Sequence, residues 1–206
     1  MECDPVAKTM AENLPAVLEL PVRQFPDADA RLMLAYARGD SAAFDALYAR
    51  YRGPLYRYFL RQCRRPEQAE ELYQETWMRV VRARAGYRAD AKFATWLFLI
   101  AHNLLVDAHR RDGRWVLESL EEEPAGGQHE DPARHSEAGE KLRRFRQLLE
   151  ALPPEQREVF LLKEEGGLGL DEIARLLAIS FEAAKSRLRY AVGKLRAGLG
   201  EHEMGD

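Results

Sequence analysis

The sequence predicts an all-α protein of two small helical domains joined by an acidic flexible linker, the C-terminal one containing a helix-turn-helix. Three observations carry that expectation. Apolar residues recur at three- and four-residue spacing along most of the chain, and strand-like alternation never persists beyond a few residues. Helix-starting and helix-stopping residues fall at the ends of those periodic segments. Charge is also segregated: residues 27–113 carry a net +4 and residues 141–206 a net +1, whereas residues 114–140 carry −6. The first 26 residues add −2, so the whole-chain value of −3 conceals two cationic ends and an acidic strap.

Taken in order, residues 28–38 read as a short helix stopped by Gly39. Ser41 is the expected N-cap of a long helix to about Cys63, with a kink or break expected at Gly53-Pro54. Pro66 suits a helix N1 position, and Glu67, Glu70 and Glu71 follow in the first turns, as the helix dipole favours. That helix reaches about Ala83. The loop AGYRADAK precedes a helix over FATWLFLIAHNLLVDAHRR (93–111). The stretch ESLEEEPAGGQHEDPARHSEAGE mixes Pro, Gly, His and acids without periodicity and reads as a linker. Helices at about 138–151, from Pro154 to about Glu164, at 170–178 and at 181–198 complete the chain. The expected division is an N-terminal extension over 1–26, disordered by default, a helical unit over 27–113, a linker over 114–137 and a second unit over 138–200.

Several function classes are excluded. The apolar run from Phe93 to Ala101 is cut by His102, Asn103, Asp107 and His109, well short of the roughly 20 residues a membrane helix needs. MECDPVAKTMAENLPAV has neither the positive start nor the apolar centre of a signal peptide, so a cytoplasmic location is expected. Cys3 and Cys63 are too few and too far apart for a disulfide framework or a zinc knuckle. His102 and His109 lie seven apart near Asp107. No HExxH motif, Cys pair, phosphate-binding Gly loop or nucleophile motif accompanies them, so neither a metal, a cofactor nor catalysis is expected.

What remains is binding. In LDEIARLLAISFEAAKSRLRYAVGKLR, Leu170, Ile173, Ala174 and Leu177 make one apolar face, and a turn runs through Ala178 to Ser180, a suitable N-cap. In the helix after it Ala184, Leu188, Ala191 and Leu195 face inward, while Lys185, Ser186, Arg189 and Tyr190 share the outer side, opposed only by Glu182. Long donors near the start of an exposed helix are what base-edge and phosphate contacts require. The plainer alternative is a solvated basic face on a helical hairpin.

AEELYQETWMRVV (69–81) together with FATWLFLIAHNLLVDAHRR resembles region two of bacterial RNA polymerase sigma factors. LEALPPEQREVFLLKEEGGLGLDEIARLLAISFEAAKSRLRYAVGKLR resembles their region four. The two motifs stand in the family's order with a short linker between, over roughly residues 28–198, as in the compact extracytoplasmic-function (ECF) group. The resemblance implies that Glu71, Gln74, Glu75 and Met78, on one side of the helix 67–83, dock on the coiled coil of the polymerase clamp. A solvated acidic face is the alternative there. It implies that Arg88, Lys92, Trp96, Asn103 and Arg110 meet the melted minus-ten element, where an extruded base is held between the preceding loop and the helix 93–111. It assigns Lys185, Ser186, Arg187, Arg189 and Tyr190 to the minus-thirty-five element.

On the residues themselves, Phe93, Leu97, Ile100, Leu104 and Ala108 form one core stripe of that helix. Trp96, Asn103 and Arg110 lie on another side, and Trp96 is open to a core or a DNA-facing role. Two departures from the family stand out. Primary sigma factors carry adjacent aromatics where this chain has Trp96-Leu97, and Tyr190 stands where Arg is common. No region-three domain is present. By resemblance the tether threads toward the polymerase active-site cleft and RNA exit path, where Glu121–Glu123 would mimic nucleic acid, a merely solvated linker being the alternative, and an anti-sigma protein is the expected regulator. The expected function is therefore promoter-specific initiation with core polymerase and promoter DNA as partners. The competing reading is a stand-alone helix-turn-helix regulator acting without polymerase.

Overall fold

The computed structural model describes residues 27–63, 65–111 and 137–200. Among them are eight α-helices and no strand. The readings on residues 1–26 and on most of the linker, including Glu121–Glu123, lie outside the described residues.

Helix α1 (Ala28–Ala37) begins where the Asp27 carboxylate accepts the Ala30 amide at 2.7 Å, and ends at Gly39, whose φ of +104° lies in the left-handed region. Helix α2 (Ser41–Gln62) is capped one residue earlier than expected: Asp40, not Ser41, accepts the Ala43 amide at 3.3 Å. Nor does α2 break at Gly53-Pro54. Its helical span runs through Pro54. Leu47 on one side of the proline and Leu55, Tyr58 and Phe59 on the other are fully buried, and this packing outweighs a missing backbone donor that costs about 3 kcal/mol in an isolated helix.

Helix α3 (Pro66–Ala83) has Pro66 at its first position and buries Ala69, Leu72, Thr76, Trp77 and Val80. The Thr76 hydroxyl satisfies itself on the Leu72 carbonyl at 2.7 Å. Trp77 meets Phe44 edge-on at 5.8 Å and Tyr48 at 5.0 Å, which fastens α3 to α2. A 3-10 turn (Arg84–Gly86) and a short loop lead into α4 (Phe93–Arg111). The buried side of α4 is wider than a single stripe. Phe93, Leu97, Leu104 and Ala108 are buried as expected, Ile100 is half-buried, and Thr95, Phe98, Ala101 and Leu105 are buried as well. A helix buried through so wide an arc has neighbours on two sides.

One of those neighbours comes from the C-terminal half, made of α5 (Glu137–Glu150), α6 (Pro154–Glu164), α7 (Leu170–Leu176) and α8 (Phe181–Gly200). Helices α5, α6 and α7 all pack on α8. A Cβ at Gly198 would fall inside the Leu148 side chain, so glycine there sets how closely α8 approaches α5. Between α7 and α8 the Ile179 amide donates to the Ala174 carbonyl at 2.9 Å, and Ala178 takes a positive φ of 53°. This is a Schellman stop with alanine in the place glycine usually holds. Ser180 then caps α8 by accepting the Ala183 amide at 3.1 Å. The two halves are in contact, α2 with α5 and α6 and α4 with α7, and their buried residues form one connected cluster.

Candidate nucleic-acid and polymerase interface

The outer face of α3 carries Glu71, Gln74 and Met78, all exposed, with Glu75 half-buried between them. Opposite turns of the helix are buried, so the four lie together on its solvent side. Glu75 is not bare: Arg79 lies 3.3 Å and Arg82 3.7 Å from its carboxylate. Gln74 donates to Glu70 at 3.2 Å. Met78 is 47% exposed among these polar groups, which leaves an apolar tip in an otherwise charged surface.

The residues expected at the melted strand divide into two groups. Trp96 is half-buried, edge-on to Tyr87 at 4.9 Å and tilted against Phe93 at 5.9 Å, so it builds an aromatic shelf beneath the loop while keeping part of its surface outside. Tyr87 forms the other wall. Its hydroxyl is buried without a hydrogen-bond partner, and burial, with Asp27 and Asp90 nearby, pushes its pKa upward. Asn103 is half-buried and Arg110 exposed, and from Trp96 to Arg110 the helix rises about 20 Å, so the three make a strip and not a pocket. Arg88, on the loop, is paired with Asp90 at 3.2 Å. Lys92 is engaged elsewhere: its ammonium lies 3.1 Å from Glu172 of α7.

On α8 the predicted reading face is largely open. Lys185, Arg189 and Tyr190 are exposed, Tyr190 by 55%, whereas Ser186 and Arg187 are half-buried. The Arg189 guanidinium lies over the Tyr190 ring at 5.2 Å, which steers the longer side chain. Arg187 is turned to Glu155 of α6 at 2.6 Å and is held against its own half. It therefore braces α8 on α6.

Sequence reasoning missed a third set of residues, at the contact between the halves. Glu158 of α6 accepts the Tyr58 hydroxyl at 3.1 Å, and its same oxygen lies 2.6 Å from His102 Nδ1. Burial, then the Glu158 charge, raises the Tyr58 pKa well above its ordinary value. Glu165 accepts from Arg57 at 2.9 Å and is also paired with Arg61. Glu172 accepts from the Thr95 hydroxyl at 2.8 Å and from its own Gly169 amide at 2.8 Å. Burial acts to raise Glu172, but the Gly169 amide, Thr95 and Lys92 together hold it below its usual value.

Among the described residues no helix is long and apolar enough to cross a membrane. The sigma-70 region 2 family model matches residues 47–115, and the sigma-70 region 4 model matches residues 142–195. The RNA polymerase sigma factor CarQ of Myxococcus xanthus is 32% identical, over 84% of this chain and 98% of its own. The ECF RNA polymerase sigma factor SigK of Mycobacterium bovis is also 32% identical, over 85% of this chain and 95% of its own. Among solved structures, CnrH in complex with the cytosolic domain of CnrY is similar with a TM-score of 0.62 and 26% identity, over 85% of this chain and 99% of that one. The sigma factor RpoE of Bartonella quintana, in complex with the anti-sigma factor NepR, shares the fold at 23% identity and a TM-score of 0.62, over 76% and 96% of the two chains.

Proposed function

This chain belongs to the ECF sigma factors of bacterial RNA polymerase, and on that premise we propose how its residues divide the work of initiation. As a sigma factor it directs transcription initiation and binds DNA, and it is not itself a catalyst. The unit 27–113 docks on core polymerase and holds the minus-ten element. The unit 138–200 reads the minus-thirty-five element, and residues 114–137 tether the two. The outer face of α3, through Glu71, Gln74, Glu75 and Met78, meets the basic coiled coil of the polymerase clamp. Arg88, Trp96, Asn103 and Arg110 face the melted strand, which Lys92 joins only on leaving its pair with Glu172; Lys185, Ser186, Arg189 and Tyr190 face the duplex upstream, while Arg187, paired with Glu155, holds α8 in place.

The observation that carries the clamp assignment is Met78. A solvated face tolerates a single exposed methionine, but one standing beside Glu71, Gln74 and Glu75 suits a protein interface: acids steer the approach and an apolar tip fills a partner pocket. The matched structures were solved as complexes, one with an anti-sigma factor, and a partner of that kind is proposed here too. A cytoplasmic location fits these partners. The test is co-purification with core polymerase. Glu75→Arg abolishes it while keeping helix content, with a small loss of thermal stability because the pairs with Arg79 and Arg82 are replaced by like-charge repulsion; retention of wild-type affinity removes this face from the interface.

A further inference from the structure

Two exposed side chains open α8 ahead of its reading residues. Phe181, the first residue of the helix, is 43% exposed, whereas Ile179, just before the Ser180 cap, packs against the core. Glu182 follows with its side chain 79% exposed. It is the only acid on α8, against Lys185, Arg187, Arg189, Lys194 and Arg196. Steps of three, four and seven residues put Glu182 on the same side as Lys185, Ser186 and Arg189. Phe181, four residues before Lys185, borders that strip. The contact of Glu182 with Lys185 is loose, 4.0 Å between carboxylate and ammonium at the surface, so neither group is committed to the other.

A recognition helix enters the major groove by its first turns, so residues 181 and 182 lie nearer the base edges than Tyr190 does. A carboxylate there is repelled by the phosphate backbones and lowers affinity for DNA of every sequence. That loss is offset only at a base that presents a donor. Cytosine N4 is such a donor. Adenine also offers an amine at N6, but the N7 acceptor beside it repels a carboxylate. A phenyl ring has no polar atom to offer and matches the C5 methyl of thymine. Consecutive Cα atoms are about 3.8 Å apart and successive bases about 3.4 Å, so the two side chains reach neighbouring base pairs. We infer that Glu182 and Phe181 fix two adjacent positions of the upstream element, Glu182 by accepting from the N4 amine of a cytosine and Phe181 by covering the methyl of a thymine beside it. The inference rests on the minus-thirty-five reading of α8 and adds a chemical identity for two base pairs. Lys185 and Arg189 supply affinity, and the lone acid rejects the wrong sequence.

The test is selection from duplexes randomised upstream of the minus-ten element, using holoenzyme assembled from core polymerase and the full chain. The wild type selects a cytosine next to a thymine within the upstream element, and a wrong base at the cytosine weakens binding about tenfold. Glu182→Ala loses that preference and binds the mismatched duplexes several-fold more tightly than wild type does, because the repulsion is gone. Glu182→Gln moves the preference to adenine, whose N6 and N7 an amide matches. Phe181→Ala keeps the cytosine and loses the thymine. Deoxyuridine in place of that thymine removes only the methyl and needs no variant: it weakens wild-type binding about fourfold, the worth of one buried methyl group, and leaves Phe181→Ala unaffected. An acid that serves only the helix dipole gives another pattern, in which Glu182→Ala unfolds at a lower temperature yet selects the wild-type sequence. That pattern overturns the inference, as does a wild-type element without an adjacent cytosine and thymine. If the wild-type holoenzyme selects no upstream element at all, the minus-thirty-five reading falls as well; a selected element that the variants leave unchanged sinks the inference alone.

Discussion

Helices α4 and α8 are both assigned to DNA, yet they present themselves differently. On α8 the reading side chains Lys185, Arg189 and Tyr190 project into solvent from a helix whose start is fixed by Ser180 and by the Ala178 turn. On α4 the residue nearest its start, Lys92, is tied to Glu172, and Trp96 is built into an aromatic shelf with Tyr87 and Phe93. The substrates proposed for the two helices account for the difference. Duplex DNA can be read by a preformed rigid helix. A melted strand has to be captured base by base against stacking surfaces, and such surfaces are apolar enough to be covered when DNA is absent.

The largest expected effect separates the two helices by stability. Trp96→Ala removes a half-buried indole from its contacts with Tyr87 and Phe93, and destabilises the fold by about 2–3 kcal/mol in denaturant unfolding, toward the lower end for buried aromatics. Arg189→Ala leaves unfolding unaltered and costs about 1–3 kcal/mol of promoter affinity, with relaxed preference at one upstream position. If Arg189 contacts phosphate alone, the loss is uniform across sequences and the salt dependence flattens. A third comparison uses open-complex formation on duplex and pre-melted templates: the bubble rescues Trp96→Ala more than Asn103→Ala, because stacking aids opening whereas the amide also reads identity. Full base discrimination by Asn103→Ala on both templates removes it as a reader.

Much of the two helices was legible in advance, and the exceptions have physical causes. Pro66, Ser180 and the Gly39 stop act through local geometry, so sequence order alone places them. Asp40 and Ser41 are both good caps standing side by side, and the choice turned on which side chain reached the Ala43 amide. Pro54 reads as a kink or break because local chemistry disfavours it, and burial of Leu55, Tyr58 and Phe59 keeps the helix unbroken through it. The extra burial on α4 comes from tertiary neighbours, Glu172 for Thr95 and Tyr58 of α2 for Phe98, which no periodicity within α4 encodes. For the same reason Glu158, Glu165 and Glu172 read as ordinary solvated acids until the halves are brought together. The open face of α8 was legible because its partner is outside the chain.

Smaller effects sharpen the comparison further. Glu172 is held below its usual range, so its contribution is complete at neutral pH and is lost as pH falls through that lowered value. Thermal unfolding of wild type and Glu172→Gln therefore differs at neutral pH and converges in acid; a gap that persists below the carboxylate range contradicts an ionic role facing Lys92 and Thr95. Ala178→Gly relieves a left-handed alanine between α7 and α8 and raises stability by at most about 1 kcal/mol, offset in part by added chain entropy. Promoter preference is untouched, since the turn sets the angle between the helices and contacts no base.

The account stands on a division of promoter reading between α4 and α8, and site-specific photo-crosslinking of the assembled holoenzyme tests it most directly. A photoreactive side chain replaces Arg110 in one chain and Lys185 in another, both exposed positions whose loss leaves the core intact. The Arg110 position crosslinks to the non-template strand at the minus-ten element only once the duplex has opened. The Lys185 position crosslinks to duplex at minus thirty-five, before and after opening alike. Crosslinks from both positions to the same element, or from the Arg110 position to closed duplex with no dependence on melting, contradict that division.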